Sequence, residues 1–114
     1  MEATDEIKEM PLNYTLDECQ VLTSKWHRDR QITINGNVMT QTLKLAEEFG
    51  EVAAAVVRNK NQDFKDGIGD MLVVMNSMCE LQGTSLRECW NHAYNEIKDR
   101  TGTLLPNGNF VKDA

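Results

Sequence analysis

The sequence lacks the features that mark membrane, secreted or nucleic-acid-binding proteins. No apolar run approaches the roughly 20 residues that span a bilayer. The acidic start, residues 1–9, has neither the basic region nor the apolar stretch of a signal peptide. Acidic residues outnumber basic ones by 18 to 12, and the net charge of −6 argues against nucleic acids or anionic membranes as partners. We therefore expect a cytoplasmic protein with no nucleic-acid or membrane partner.

The cysteines form no recognisable metal or disulfide pattern. Cys19, Cys79 and Cys89 are odd in number, lack C-x-x-C spacing and each fall within a helical pattern. We expect reduced thiols and no zinc or disulfide role. The chain also lacks a Ser/His/Asp or Cys/His arrangement that would argue for a covalent nucleophile.

Helical periodicity dominates the 114 residues, a length that fits one domain. A capping box at Thr15–Glu18 predicts a helix to about residue 29 or 30, and helices are predicted at 39–59, 63–81 and 85–100. We interpret 31–37 as a loop, Asn61 as an N-cap and Gly83 as a helix terminator.

These elements predict an all-α, four-helix bundle-like domain over residues 15–114. Residues 1–14 are predicted to be a flexible N-terminal segment. A tight-turn signal between apolar pairs predicts a short C-terminal hairpin or packing arm near 104–111. Because 40% hydrophobic content is modest, we expect a homo-oligomer, a dimer or tetramer, that shares its core between copies.

A stripe of glutamates on the second long helix is the first sign of chemistry. Glu47, Glu48 and Glu51 fall within about 100° of one helix face. Three carboxylates repel one another unless cations share the face or the face holds a divalent metal. Since Lys44 lies on the same arc, a solvated face with ion pairs is the favoured interpretation of this stretch alone.

Asp70 changes that interpretation. It directly precedes an apolar run on the next helix, where a lone carboxylate is expensive unless it is paired or binds metal. Counted from the intervening turn, Glu51 and Asp70 are each about nine or ten residues away, so antiparallel packing would bring them level. The pattern therefore predicts that Glu48, Glu51 and Asp70 meet as hard oxygen ligands suited to Mg²⁺.

Several blocks together resemble a known enzyme family. They are Glu47-Glu48-x-x-Glu51, Asp66-Gly-Ile-Gly-Asp70, Trp26-x-x-Asp29-Arg30, Gln41-x-Leu-Lys44-Leu and His92-Ala-Tyr-Asn95-Glu-Ile-Lys98-Asp-Arg100. With these blocks taken together, the chain is similar to the MazG-type nucleoside triphosphate pyrophosphohydrolases of the all-α NTP pyrophosphatase superfamily. The resemblance is strongest to short single-domain members from phages and bacteria, which would place a phage-encoded protein in the host cytoplasm. One departure is Gly67, where the family's ExxD motif has glutamate.

The resemblance implies hydrolysis of a (deoxy)nucleoside triphosphate to the monophosphate and pyrophosphate, with Mg²⁺ as cofactor and Mn²⁺ as an alternative ion. It implies catalytic and metal-binding roles for Glu47, Glu48, Glu51 and Asp70. We expect either Asp66 or Glu47 to take the role of the carboxylate that is absent at Gly67. Asn95 and Lys98 are expected to contact phosphate, Arg100 to add charge, and Trp26 to stack on a base whose edge Asp29, Gln41 or Lys44 would read.

Plainer interpretations of these residues remain open at this point. Trp26 at helical spacing also fits a core aromatic, and Arg100 fits an ordinary cationic helix end. Two rival functions also remain: a catalytically weakened nucleotide- or metal-binding bundle, and a structural helical dimer with a charged groove.

Overall fold

Nearly all regular structure in the computed structural model, which describes residues 11–114, is helical. The elements are α1 (Leu16–Asp29), α2 (Ile32–Asn35), α3 (Val38–Val57), α4 (Asn61–Leu81), α5 (Leu86–Ile97), β1 (Gly102–Leu104) and β2 (Phe110–Lys112). The two strands pair antiparallel, with Thr103 opposite Val111. The predicted all-α fold with a C-terminal hairpin is confirmed, whereas most of the predicted flexible segment 1–14 lies outside the described residues.

The helix boundaries largely follow their local signals. Thr15 and Glu18 form the predicted capping box: the Thr15 hydroxyl accepts from the Glu18 amide at 3.1 Å, and the Glu18 carboxylate accepts from the Thr15 amide at 2.9 Å. Gly83 follows the end of α4 with a φ of +77°, a left-handed conformation that glycine adopts without steric cost.

Two local predictions were wrong. Residues 31–37 are not all loop, because they contain the short helix α2. Its N-cap, Gln31, has a left-handed φ of 62°. At the other end, the Gly36 amide donates a hydrogen bond to the Ile32 carbonyl at 3.0 Å. Asn61 is not an N-cap but the first residue of α4. Lys60 takes the N-cap position, where its ammonium group cannot accept a capping hydrogen bond from the amides of the first turn.

The tightest packing joins α3 and α4 across a short turn at residues 58–60. Asn59 allows the reversal by adopting a left-handed φ of 55°, which asparagine tolerates better than most residues. Val52 and Gly67 meet where the helices approach: a Cβ added at Gly67 would lie 2.5 Å from the Val52 Cγ2. This contact fixes the level at which the acidic residues of the two helices face each other.

Elsewhere the interior around α4 is polar. His27, Asn76 and Ser77 are the largest fully buried side chains, and His27 is only 2% exposed. Asn76 donates to the Ser24 hydroxyl of α1 at 3.1 Å, and Ser77 donates to the Gln41 side-chain carbonyl of α3 at 2.7 Å. Because α4 also contacts α2 and α5, it is the central helix.

Many large apolar side chains of the described helices are exposed. Within residues 11–114, no helix is long and apolar enough to cross a membrane. The radius of gyration of 16.9 Å exceeds the about 13 Å expected for a compact domain of 100 residues. A single copy of the chain is therefore an open arrangement rather than a closed bundle.

Candidate active site

The α3–α4 pair brings the predicted carboxylates Glu48, Glu51 and Asp70 into electrostatic contact. Burial raises the pKa of Glu48, and so do the neighbouring charge of Glu51, a hydrogen bond with its carboxyl group, and the charge of Asp70. Lys44, one turn before Glu48, opposes these effects and lowers the pKa. The geometry thus concentrates negative charge at one place between the helices.

One carboxylate oxygen in this group lacks a partner. The Oε2 atom of Glu48 is shielded from water and accepts no hydrogen bond from any residue between 11 and 114, a state that costs free energy for a charged oxygen. A cation between Glu48 and its acidic neighbours would supply the missing contact and remove the repulsion. The donor set, carboxylate oxygens only, fits a hard ion such as Mg²⁺.

The carboxylates do not form a finished cage. In the part of the chain that the structure describes, no three carboxylate, histidine or cysteine side chains stand close enough together to hold a metal as they are. Asp70 itself is exposed in this chain, so its burial gives no argument for a bound ion. Exposed carboxylates such as Asp70 and Glu51 can rotate toward an ion at little cost.

A cavity of about 320 Å³ adjoins the carboxylates on the side of the 58–60 turn. It is lined by Glu51, Ala54, Ala55, Arg58, Lys60, Asp63, Asp66, Gly67 and Asp70. Two cationic residues at the turn therefore border the same cavity as four acidic ones. Such a cavity offers both the oxygen ligands that a divalent ion needs and the positive charges that phosphate oxygens need.

At position 67, where the family's motif has glutamate, the two helices are in close contact. Gly67 is buried against Val52, so a glutamate there would displace that contact. Asp66 lies one helical turn before Asp70, lines the same cavity and accepts a hydrogen bond from Gln62 at 2.8 Å. Of the two candidate replacements, Asp66 therefore reaches the cavity, whereas Glu47 is exposed on α3 and is not among its lining residues.

The residues expected to read a base are distributed along α1 and α3. Gln41 is already engaged as the acceptor for Ser77. The Arg30 guanidinium stacks over Trp26, 4.2 Å from the ring centroid, and Asp29 pairs with Lys25 at 2.6 Å. Trp26 is 45% exposed, so it is neither a core residue nor a lining residue of the carboxylate cavity.

The expected phosphate contacts on and after α5 stand apart from the carboxylates. Asn95, Lys98 and Arg100 are exposed, and none of them lines the cavity in the described part of the chain. Between α1, α4 and α5 lies a wide apolar groove of about 670 Å³, lined in part by Leu72, Trp90 and Tyr94. One protomer therefore assembles the acidic half of the predicted site without the α5 half.

Three cavity residues were missed by sequence reasoning. Arg58, Lys60 and Asp63 line the cavity, but the sequence analysis assigned none of them to the site. A signal was present for Asp63, since Asp63, Asp66 and Asp70 recur at i, i+3 and i+7, which places them on one face of α4. The two cations had no such signal, because their position depends on the turn geometry.

Comparison with protein-family models supports the MazG resemblance. The family model of the MazG nucleotide pyrophosphohydrolase domain matches residues 37–104, more than half of the chain. The chain belongs to the MazG family. The MazG match covers α3, α4, α5 and β1, and therefore every lining residue of the carboxylate cavity, but it begins after Trp26 and Asp29 of α1.

A phage protein is also similar to this MazG-family chain. It is described as an uncharacterized 18.2 kDa protein in the rep-hol intergenic region of Haemophilus phage HP1 (strain HP1c1). The two are 43% identical over 51 residues, which is 45% of this chain and 31% of the phage protein. The match thus spans less than a third of that relative. No solved structure matches this chain.

Proposed function

We propose that this MazG-family protein is a Mg²⁺-dependent pyrophosphohydrolase that converts nucleoside or deoxynucleoside triphosphates to the monophosphate and pyrophosphate. The observation that carries the proposal is the meeting of Glu48, Glu51 and Asp70, with an unpartnered Glu48 oxygen, beside a cavity that also presents Arg58 and Lys60. The family match supports nucleotide pyrophosphohydrolysis in general; the ion and the residue roles are proposed here.

The residues present would divide the work as follows. Glu48, Glu51 and Asp70 would hold the ion, with Asp66 completing the set in place of a residue at position 67. A bound Mg²⁺ would neutralise the charge that builds on the phosphate oxygens in the transition state. Arg58 and Lys60 lie where they can hold the polyphosphate in the cavity.

The reaction itself requires only water as the nucleophile. The water oxygen bonds to the α-phosphorus. The bond from that phosphorus to the oxygen that bridges the α- and β-phosphates breaks, and pyrophosphate leaves. The released proton needs a base within reach, and Glu47, next to the ligand Glu48 on α3, is the proposed acceptor. Asn95 and Lys98 would contact the phosphates from α5.

The decisive assay offers wild-type protein a panel of NTPs and dNTPs with Mg²⁺ and measures monophosphate and pyrophosphate together. We expect equal amounts of both products from at least one nucleotide. Glu48→Gln and Asp70→Asn should abolish turnover while circular dichroism shows an intact fold, and Asp17→Asn on α1 serves as the acidic control. Absence of both products for every nucleotide would refute the enzyme, and full activity of Glu48→Gln would refute the site.

A weakened, non-catalytic relative is the second candidate, and Gly67 favours it. The family's glutamate is absent there, and the close Val52 contact leaves no room to restore it without a shift. Under this alternative, Mg²⁺ and a non-hydrolysable triphosphate would raise the melting temperature although no product forms.

We further propose that the protein works as a homo-oligomer in which α3 packs against α3 of a second copy. An exposed apolar stripe, the α3 stripe, runs along this helix in alternating steps of four and three residues: Met39, Leu43, Ala46, Gly50, Ala53 and Val57. Its ends are strongly exposed, with Met39 at 73% and Val57 at 81%. This spacing is the heptad pattern of helices that pair along their length.

Gly50, at the middle of the α3 stripe, supports the same assembly. Glycine inside a helix costs about 1 kcal/mol relative to alanine. Apart from its own helix, the described part of the protomer has no atom within 4 Å of a Cβ placed there, so no contact inside the protomer requires glycine. A small residue would instead let a second helix approach closely.

Sedimentation velocity on wild type, Leu43→Lys and Val21→Lys tests this assembly. Leu43 and Val21 are almost equally exposed apolar side chains, at 68% and 67%, but only Leu43 lies on the α3 stripe. We expect wild type and Val21→Lys to sediment as the same oligomer and Leu43→Lys to dissociate. A monomeric wild type, or equal dissociation of both variants, would refute the α3 interface; the measured mass distinguishes dimer from tetramer.

A further inference from the structure

Cys79 and Cys89 meet at the base of the α4–α5 hairpin, although nothing in their sequence spacing indicates a pair. Their Sγ atoms are 3.9 Å apart, within the range of a weak thiol hydrogen bond. Cys79 lies near the end of α4 and is partly buried, whereas Cys89 lies in the first turns of α5 and is exposed. The tight connection through Gly83 holds the two helices together at this point.

We propose that Cys79 and Cys89 form a reversible intrachain disulfide when the protein meets a two-electron oxidant such as hydrogen peroxide, and that this bond fixes α5 to α4. A disulfide needs a sulfur–sulfur distance of about 2.0 Å, so the sulfurs must approach by roughly 2 Å. Packing around α5 permits such a shift, because α5 contacts α4 only slightly and borders the open groove of about 670 Å³.

Exposure assigns the two thiols different roles. The Cys89 sulfur attacks one peroxide oxygen, the O–O bond breaks, and a sulfenic acid and water form. The Cys79 sulfur then attacks the Cys89 sulfur; the S–S bond forms as the S–O bond breaks, and the hydroxyl leaves as water with the Cys79 proton. Two electrons pass from the thiols to the peroxide, and a dithiol reductant reverses the reaction.

The buried position of Cys79 agrees with the second of these roles. Burial and the adjacent Cys89 raise the pKa of Cys79 to about 11, so it is a thiol at neutral pH and a poor first nucleophile. Once Cys89 is oxidised, Cys79 follows as the second thiol because its Sγ lies only 3.9 Å from the Cys89 Sγ, not because of its acidity.

The bond would act on the end of α5 where the expected phosphate contacts lie. Asp70 precedes Cys79 by nine residues and Lys98 follows Cys89 by nine, so a fixed hairpin base limits how Lys98 can move relative to Asp70. This consequence rests on the proposed function, whereas formation of the bond does not. The test below therefore uses no activity measurement.

Peptide mapping by mass spectrometry under non-reducing conditions tests the bond directly. Full-length protein is treated with hydrogen peroxide, the remaining thiols are alkylated, and cross-linked peptides are identified before and after dithiothreitol. We expect a Cys79–Cys89 cross-link that is lighter than the two free peptides by two hydrogens and that disappears on reduction. A dominant link through Cys19, or stable sulfinic acid at Cys89 without a cross-link, would overturn the proposal.

Hydrogen exchange provides a readout of the helix itself. Oxidised wild type should show slower amide exchange across α5 than reduced wild type, while α3 stays unchanged. Cys19→Ser, the matched control, should behave like wild type, and Cys89→Ser should show no redox effect on α5. Equal exchange in oxidised and reduced wild type, despite a mapped cross-link, would refute the claim that the bond restrains α5.

Discussion

The two sides of α4 differ in how completely one chain packs them. On the α3 side, Gly67 fits against Val52, the helices are joined by a short turn, and the carboxylates face one another at a fixed level. On the α5 side, a wide apolar groove separates the helices, and Trp90 and Tyr94 remain largely exposed. One protomer therefore holds the carboxylates of the predicted site in place, whereas its α5 residues remain largely exposed beside the groove.

This difference explains how the described part of the chain, with so small an apolar core, can still position the carboxylates of the predicted site. The interior of α4 is fixed by hydrogen bonds from Asn76 and Ser77, which impose a definite arrangement on α1 and α3. The remaining apolar surface, including the α3 stripe, is exposed in this chain and would be covered in the proposed oligomer.

The largest expected effect is on turnover. It is measured by combining two variants, each of which damages one side of α4, in one oligomer. Glu48→Gln removes the acidic half and Lys98→Ala removes the α5 half, and each alone should lower turnover by about 100-fold or more. If α5 of one copy serves the carboxylates of another, a purified hybrid of the two variants keeps one intact site and recovers about half of wild-type turnover.

The hybrid is obtained by co-expression with two different affinity tags and is assayed for pyrophosphate release. Each variant carrying both tags serves as the control for tag effects. A hybrid no more active than its parents would mean that α5 closes onto the carboxylates of its own chain.

Two glycines of α4 test the packing difference through stability. Gly67→Ala places a Cβ 2.5 Å from the Val52 Cγ2 and should lower the free energy of unfolding by about 1–3 kcal/mol. Gly69→Ala meets no described atom within 4 Å beyond its own helix and should raise it by up to about 1 kcal/mol. Urea unfolding at one fixed protomer concentration measures both, and shifts of the same sign would contradict the packing difference.

The smallest expected effect concerns the charge on Glu48 without metal. Its pKa in the folded protein lies above the ordinary value of 4.5, so ionisation opposes folding, and stability falls as the pH rises from 4.5 through the folded pKa. At pH 7 and without divalent ions, Glu48→Gln should therefore melt slightly higher than wild type, and the difference should vanish near pH 4.

Added Mg²⁺ should reverse that order, because only wild type has the carboxylate to bind it. Differential scanning fluorimetry across pH, with and without Mg²⁺, measures the effect, and Asp17→Asn provides an acidic variant away from α3. A wild type that melts higher than Glu48→Gln without metal at every pH would contradict the account of Glu48.

The sequence predicted what depends on local pattern and missed what depends on tertiary contacts. Capping at Thr15, termination at Gly83 and the periodic apolar positions are local, so the four long helices were predicted to within a few residues. The level match of Glu51 and Asp70 followed from counting along two antiparallel helices. The structure brings these residues together, although their catalytic roles stay predictions.

Other features had no local signal. His27 is buried, its Nδ1 atom has no hydrogen-bond partner in the described part of the chain, and burial lowers its pKa. Only the packing of α1 against α4 reveals this. Helix α2 begins with a left-handed Gln31, which propensity does not favour. The loose position of α5 also could not be predicted, since a capped amphipathic helix looks the same whether its apolar face meets its own chain or another.

The central claim is that the α3–α4 carboxylates hold a divalent ion. Binding of Mn²⁺ tests it most directly, because electron paramagnetic resonance detects Mn²⁺ as a substitute for Mg²⁺. We predict that wild type and Asp17→Asn bind Mn²⁺ equally, that Mg²⁺ displaces it, and that Glu48→Gln and Asp70→Asn each weaken binding by about 10-fold or more. Unchanged Mn²⁺ affinity in both ligand variants would contradict the claim.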